Sequence, residues 1–232
     1  MEKIAYIDNR PFAIEPGETI LQFVRRNSGH DVIPTLCQAE NLDNYGSCRI
    51  CSVEVALKEG GPGKVMASCH TPVAPGYYVY PSTDRIRRLR KNILELVLSE
   101  YPPERLIPEP GMLPTEFQTV VAAAGSPEVR YHLNVTHHEK DRSRPYVWSD
   151  LTECIKCYRC VRACDELQAE HVLGIYGRGD DSRIIKGFDQ SFRDSPCVSC
   201  GACVQTCPTN ALHDRYSVKT LKADRIVRTT CT

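Results

Sequence analysis

The stretches ECIKCYRCVRACDELQ (153–168) and SPCVSCGACVQTCPTNAL (195–212) decide how this 232-residue chain is read. Each carries four cysteines spaced C-x2-C-x2-C-x3-C: Cys154, Cys157, Cys160 and Cys164 in the first, Cys197, Cys200, Cys203 and Cys207 in the second. Three thiols at that spacing fit on one tight loop around an iron-sulfur cubane. The fourth, at the start of a helix, points away and serves the other cluster of a two-cluster ferredoxin. The spacing therefore predicts one 4Fe-4S cluster on Cys154, Cys157, Cys160 and Cys207, and a second on Cys197, Cys200, Cys203 and Cys164. Pro208 follows Cys207, as the bacterial run expects, whereas Asp165 follows Cys164 and leaves every ligand in place. Zinc on four thiolates is the alternative, but zinc sites rarely use three evenly spaced cysteines plus a fourth at x3, twice over.

Four more of the 13 cysteines lie upstream as C-x10-C-x2-C-x17-C, at Cys37, Cys48, Cys51 and Cys69, and Cys231 stands alone. Their context is a short apolar strand over 3–7, a turn at Asp8-Asn9-Arg10-Pro11 and a second strand over 12–14, which reads as a hairpin. Thr19, three residues before Gln22, then opens a helix as a capping box. Strands are expected at 51–57 and 77–80. Hairpin, helix and cysteine loop in that order suggest a β-grasp module holding a 2Fe-2S cluster, with zinc or a metal-free cysteine group as alternatives. Gly46, beside Ser47 and Cys48, would let backbone amides approach the sulfurs.

Lys and Arg number 29, as do Asp and Glu, so the net charge is zero and the balance argues against a general nucleic-acid or anionic-membrane binder. The opening MEKIAYID lacks the apolar core of a signal peptide, and no stretch approaches the length of a membrane span. Such a chain reads as cytoplasmic, where cysteines hold metal more often than disulfides. Gly60-Gly61-Pro62-Gly63-Lys64 is not a phosphate loop, since Val65 replaces the hydroxyl residue. Gly177-Arg178-Gly179, between apolar stretches 172–176 and 183–185, reads as a hairpin turn. No catalytic triad or carboxylate pair can be argued, and no residue is assigned a catalytic role. His137 and His138 read as surface residues.

Together with IPTLC (33–37), YGSCRICSVEV (45–55), ASCHTPV (67–73) and YGRGDDSRI (176–184), the two cubane stretches resemble one architecture. It is similar to the amino-terminal iron-sulfur region of NAD-dependent, molybdenum-containing formate dehydrogenase catalytic subunits. The large iron-sulfur subunit of respiratory complex I and the diaphorase iron-sulfur subunits of bidirectional hydrogenases are more distantly similar. The resemblance implies an α+β chain: a β-grasp 2Fe-2S ferredoxin-like domain (1–81), a helical connector with a degenerate His/Cys cluster segment (82–147), a bacterial-type two-cluster 4Fe-4S ferredoxin domain (148–216), and a tail (217–232) like the entry to a molybdopterin domain.

Two departures matter. Family members carry between these modules a further 4Fe-4S cluster on a segment H-x3-C-x2-C-x5-C. Here Tyr101 stands at the His position and Arg105 and Pro108 at the first two Cys positions, and no cysteine lies between Cys69 and Cys154, so that cluster is expected to be missing. The sequence reaches Thr232, one residue after Cys231, and no molybdopterin site is expected within it; Cys231 reads as a free thiol on a frayed tail or as a ligand shared with a partner. Residues 82–101 read as an amphipathic helix with Ile86, Leu89, Ile93, Leu96 and Val97 inward and Arg85, Arg87, Arg88, Arg90 and Lys91 on a solvated face or against an acidic partner; 102–114 reads as an irregular strap.

The function this implies is a non-catalytic relay with one 2Fe-2S and two 4Fe-4S clusters. It would link a flavin-containing NADH-oxidising subunit to a formate dehydrogenase-like or hydrogenase catalytic subunit, with neither nucleic acid nor a membrane span involved. A relay in a hydrogenase or bifurcating transhydrogenase, an assembly scaffold, and a partner of a separately encoded molybdopterin chain remain as alternatives.

Overall fold

The structure is a computed structural model, and it describes residues 3–108, 110 and 113–215; the tail and Cys231 lie outside the described residues. The first hairpin pairs β1 (Ile4–Ile7) with β2 (Arg10–Ala13) through a two-residue turn whose Asp8 and Asn9 both have positive φ, 45° and 67°. That is the mirror-image turn that matches strand twist, and Asp and Asn tolerate it best after glycine. Pro11 thus falls inside β2, which is permitted because β2 is the sheet edge.

Thr19 and Gln22 form the expected reciprocal cap, Thr19 N donating to Gln22 Oε1 at 2.8 Å and Gln22 N to Thr19 Oγ1 at 3.3 Å, and α1 (Ile20–Ser28) follows. Its Ile20, Phe23 and Val24 pack on Ile7, Val53, Val55 and Val79 of the sheet. The sheet is completed by β3 (Ser52–Ala56), β4 (Lys64–Ala67) and β5 (Tyr78–Tyr80), in the order β2-β1-β5-β3-β4, with β1 and β5 parallel and the other pairs antiparallel. The expectation omitted β4, which is half-exposed at the far edge and carries too little alternation to stand out.

Helix α2 (Asp84–Leu98), capped by Thr83, turns Ile86, Ile93 and Val97 toward the core as expected but departs from its sequence reading at two positions. Leu96 is 54% exposed, whereas Arg90, assigned to the solvated face, is buried. The reason is local: Arg90 Nε donates to Ile50 O at 3.1 Å and Nη2 to Ser52 O at 2.8 Å, so its guanidinium holds the carbonyls on either side of Cys51. The connector is not wholly irregular either. After a 3-10 turn at Pro103–Arg105, Thr115 and Gln118 form a second capping box and open α3 (Glu116–Ala123). Tyr101 and Phe117 meet edge to face at 4.9 Å in a core with Leu36, Ile50, Leu94, Leu98 and Val121. Position 101, where the resemblance implies a His ligand, thus holds a buried aromatic ring.

The last third is a pair of repeats around a third core. The strands β6 (Val147–Ser149) and β9 (Leu212–Asp214) pair antiparallel and bring its two ends together. Between them lie the first cysteine loop with α4 (Arg159–Arg162), the hairpin β7 (Leu173–Tyr176) and β8 (Arg183–Lys186), and the second cysteine loop with α5 (Ala202–Thr206). Gly177 turns the hairpin at φ 74°, and any Cβ there would meet Asp181 O at 2.7 Å. Val172, Leu173, Ile184, Phe192, Val204 and Leu212 form the core on which the buried cysteines pack. Among the described residues no helix is long and apolar enough to cross a membrane.

Candidate iron-sulfur centres and the seam between them

The four amino-terminal thiols come together as two close pairs on the loop between α1 and β3 and at the end of β4. Cys51 and Cys69 are buried with their sulfurs 3.3 Å apart. Cys37, also buried, accepts from the Cys48 amide at 3.4 Å and from the Ser47 amide. Gly46 has φ 71°, and Arg49 φ 61°, so the chain turns tightly enough to aim those amides inward. In each pair the hydrogen bond between the two thiols lowers one cysteine, Cys37 or Cys51, and raises its partner. A thiol whose ionised form is favoured by a neighbouring donor is the ligand chemistry that soft metal centres require.

The two cubane-type loops are built alike. Lys156 and Tyr158 in the first have φ 53° and 60°; Ser199 and Gly201, at matching positions in the second, have 58° and 81°. These left-handed residues turn the amides of Lys156 and Ser199 onto Cys154 Sγ and Cys197 Sγ, each at 3.4 Å. One cavity is lined by Cys154, Cys157, Cys160 and Cys207, and another by Cys164, Cys197, Cys200 and Cys203. The interleaved sets are therefore the ones the fold brings together. Burial pushes Cys154 up to about 11 and Cys203 to about 12, with neighbouring sulfurs adding to it.

The donor sets fit iron-sulfur clusters. Buried thiols held neutral by their surroundings ionise when a cationic centre sits among them. Arg159 Nε, Ser199 Oγ and Thr206 Oγ1, each within two residues of a cysteine, are buried without a hydrogen-bond partner. Such polar groups suit a site whose remaining acceptors are sulfides. Among the described residues no three His, Cys, Asp or Glu side chains converge as for a single metal ion; the thiols ring spaces instead. His137 is exposed and His138 half-buried, and neither lines either cysteine cavity.

Sequence reasoning missed the residues that join the modules. Arg162, on α4, donates from Nη1 to Cys37 O at 3.0 Å and from Nη2 to Asp43 O; its Nε pairs with Glu166 at 2.9 Å, and it lies 4.8 Å from the Tyr45 ring. Glu166 in turn accepts from the Asp43 amide at 2.8 Å. One turn earlier, Arg159 binds Glu116 of α3 with two 2.6 Å bonds and donates to Thr206 O at 3.3 Å. The amino-terminal cysteine loop is therefore clamped directly onto the helix that carries Cys160. The signal that finds these residues is the repeat itself: aligned on cysteines, Arg159 faces Ala202 and Arg162 faces Gln205. Two charges present in one copy and missing from the other mark a surface that only one copy buries.

Residues 4–84 match a 2Fe-2S iron-sulfur cluster binding domain, and 144–213 the ferredoxin-like domain of NADH-quinone oxidoreductase subunit 3. A subunit of the NADH-quinone oxidoreductase of Rhizobium meliloti is 33% identical over 208 residues, 89% of this chain and 23% of the relative. The HndD subunit of the NADP-reducing hydrogenase of Solidesulfovibrio fructosivorans is 34% identical over 214 residues, 89% of this chain and 35% of the relative. The chain thus spans about a fifth to a third of the curated relatives it matches, and putative formate dehydrogenases of staphylococci are among the others. A chain of an NAD+-reducing NiFe-hydrogenase superposes with TM-score 0.78 at 26% identity, over 96% of this chain and 91% of that one. The chain thus joins, in this order, a 2Fe-2S cluster binding domain and a ferredoxin-like domain similar to that of NADH-quinone oxidoreductase subunit 3.

Proposed function

We propose that the chain is a three-centre relay: a 2Fe-2S cluster on Cys37, Cys48, Cys51 and Cys69, and two 4Fe-4S clusters on the two interleaved sets. The relay would connect a flavin-containing NADH-oxidising subunit to a formate dehydrogenase-like or hydrogenase-type catalytic subunit. The observation that carries this is the pair of cavities lined by interleaved cysteines, with the Cys37 loop clamped onto the same helix by Arg162. Each cluster, when bound, takes up and returns a single electron.

The chain's own residues do the rest. The amides of Cys48, Lys156 and Ser199 donate to thiol sulfurs and stabilise negative charge there. Arg162 and Glu166 fix the Cys37 loop, while Arg144 donates to Phe192 O at 3.0 Å and Cys197 O at 2.8 Å and fixes the second cubane loop. The three apolar cores keep water from the buried thiols. The domain division proposed is a 2Fe-2S domain to residue 81, a connector to 147 and a two-cluster domain to 216.

Among the possible catalytic partners, a hydrogenase is favoured by one observation: the chain covers 91% of the hydrogenase chain it superposes on, against 23% of the complex I relative. The test is anaerobic purification with metal, sulfide and flavin analysis. About ten iron atoms per chain, with one 2Fe-2S and two 4Fe-4S signals in electron paramagnetic resonance, are expected. Zinc in place of iron would overturn the reading. Co-purifying nickel would fix the hydrogenase partner, molybdenum or tungsten the formate dehydrogenase-like one.

A further inference from the structure

We propose that Arg159, a permanent cation buried at the seam between Cys37 and the first cubane loop, raises the reduction potentials of the centres on both sides, and that Glu116 limits how strongly. The inference rests on the three-centre reading above. Arg159 lies between Cys157 and Cys160 in sequence and is 3% exposed. It stands one turn before Arg162, whose Nη1 holds Cys37 O at 3.0 Å, so the α4 face carrying both arginines lies on the amino-terminal cysteine loop. Its third contact, Thr206 O at 3.3 Å, precedes Cys207, the fourth thiol of the first cubane set.

A buried guanidinium is costly unless matched, and here the match is uneven. Both Nη atoms bind Glu116, but the Glu116 side chain is 44% exposed against 4% for Arg159, and Arg159 Nε has no partner. Water screens the carboxylate more than the cation, so a positive field remains at the interior end of the pair. The field reaches the sulfurs at both sides, because Arg159 adjoins Cys160 in the chain and Arg162, one turn further along the same helix, holds Cys37 O at 3.0 Å. A cluster held by four thiolates is anionic, and on reduction it gains one electron and becomes one unit more negative without taking a proton from arginine. A nearby fixed cation therefore stabilises the reduced form more than the oxidised one. At the equivalent place in the second repeat Ala202 supplies no charge, so the effect is confined to the inner centres.

The experiment is a redox titration of the purified, iron-loaded chain followed by electron paramagnetic resonance, with iron counted in every sample. Arg159→Gln should disfavour reduction of the first cubane and the 2Fe-2S centre by about tenfold or more in the equilibrium, 59 mV for one electron. Arg159→Lys, which keeps the charge, should stay much closer to wild type. Glu116→Gln, which keeps the hydrogen-bonding shape and removes the counter-charge, should move the same two potentials upward, and the second cubane should move least in all three. Shifts of the same sign in Arg159→Gln and Glu116→Gln, or unmoved potentials at full iron content, overturn the proposal. If Arg159→Gln fails to load iron, the upward shift in Glu116→Gln decides. A wild-type chain without the three signals overturns the relay reading itself.

Discussion

The two cubane loops share cysteine spacing, left-handed positions and amide-to-sulfur hydrogen bonds, yet one is inside the molecule and the other at its surface. In the first, α4 presents Arg159 and Arg162 to the amino-terminal module, and both are buried. In the second, Gln205 and Cys200 are exposed, and Val198 beside it is 59% exposed. The residue after the fourth cysteine differs too. Pro208 forces Cys207 into extended backbone and stops α5, whereas Asp165 lets the helix run on as a π-turn over Ala163–Leu167, which carries Glu166 to the Asp43 amide. The spacing of ligands sets the chemistry of a loop; the residues between them set its place in a chain of centres. In the proposed relay the first cubane is the inner station and the second faces a partner.

Removing one ligand from each loop gives the largest contrast. Cys160→Ala, in a residue packed into the core, should cost about four iron atoms and also lower thermal stability, because the loop that receives the Cys37 clamp loses its template. Cys200→Ala should also cost about four iron atoms, but leave the 2Fe-2S signal and the melting temperature of the rest of the chain nearly unchanged. Iron analysis, electron paramagnetic resonance and a thermal melt distinguish them; equal losses of stability would erase the distinction between inner and outer loop.

The arginine clamp comes next. Arg162→Ala leaves Cys37 O, Asp43 O and Glu166 without their shared donor and should destabilise the chain by roughly 3 kcal/mol. Gln205→Ala, at the matching but exposed position, should stay within about 0.5 kcal/mol. Urea midpoints of the two variants check this, and similar values would show that the seam contributes little to stability.

These contrasts also mark how far the sequence is legible. The first hairpin and the Thr19 cap can be read directly, because each is a local pattern with one physical solution. The helix α3 carries the same Thr-x-x-Gln signal at Thr115 and Gln118, but the surrounding prolines mask it. Arg90 cannot be placed from periodicity, since a buried arginine satisfied by the carbonyls of Ile50 and Ser52 looks like any charge on a helix. Tyr101 cannot be placed as a buried aromatic from the sequence, since its packing depends on Phe117 arriving from α3.

The outer loop has its own brace, and weakening it should matter less than breaking the seam. Asp141 accepts from the Phe192 amide at 2.7 Å and the Ser143 hydroxyl at 2.6 Å and pairs with Lys186 at 2.9 Å. Burial alone would raise its carboxyl, but those donors outweigh it and hold the group at about 2. A carboxylate depressed in the folded state adds stability above its unfolded value near 3.8, and that contribution fades as pH falls toward 2. Asp141→Asn should therefore cost about 1–2 kcal/mol at neutral pH, and the gap from wild type should narrow below pH 4. A gap independent of pH over that range would mean that the hydrogen-bonding shape, not the charge, supports the loop.

The smallest effect tests whether the two loops are strained alike. Both use left-handed backbone, but the first places Lys156 and Tyr158 there and the second Ser199 and Gly201. A Cβ at Gly201 meets nothing within 4 Å, so Gly201→Ala changes only the conformational cost, about 1 kcal/mol against the fold. Ser199→Gly removes that same cost at φ 58°, along with a hydroxyl that has no partner, and should stabilise by a similar or smaller amount. Tyr158 cannot be relieved in this way, because its ring packs in the same core as Leu173 and Ile184 and a glycine there would lose more in burial than it gains in backbone freedom. Opposite signs for the two outer-loop variants, read from thermal melts of the iron-loaded chain, would show that this turn is held by its ligands and backbone alone, whereas the inner loop keeps its left-handed Tyr158 because that side chain is part of the core.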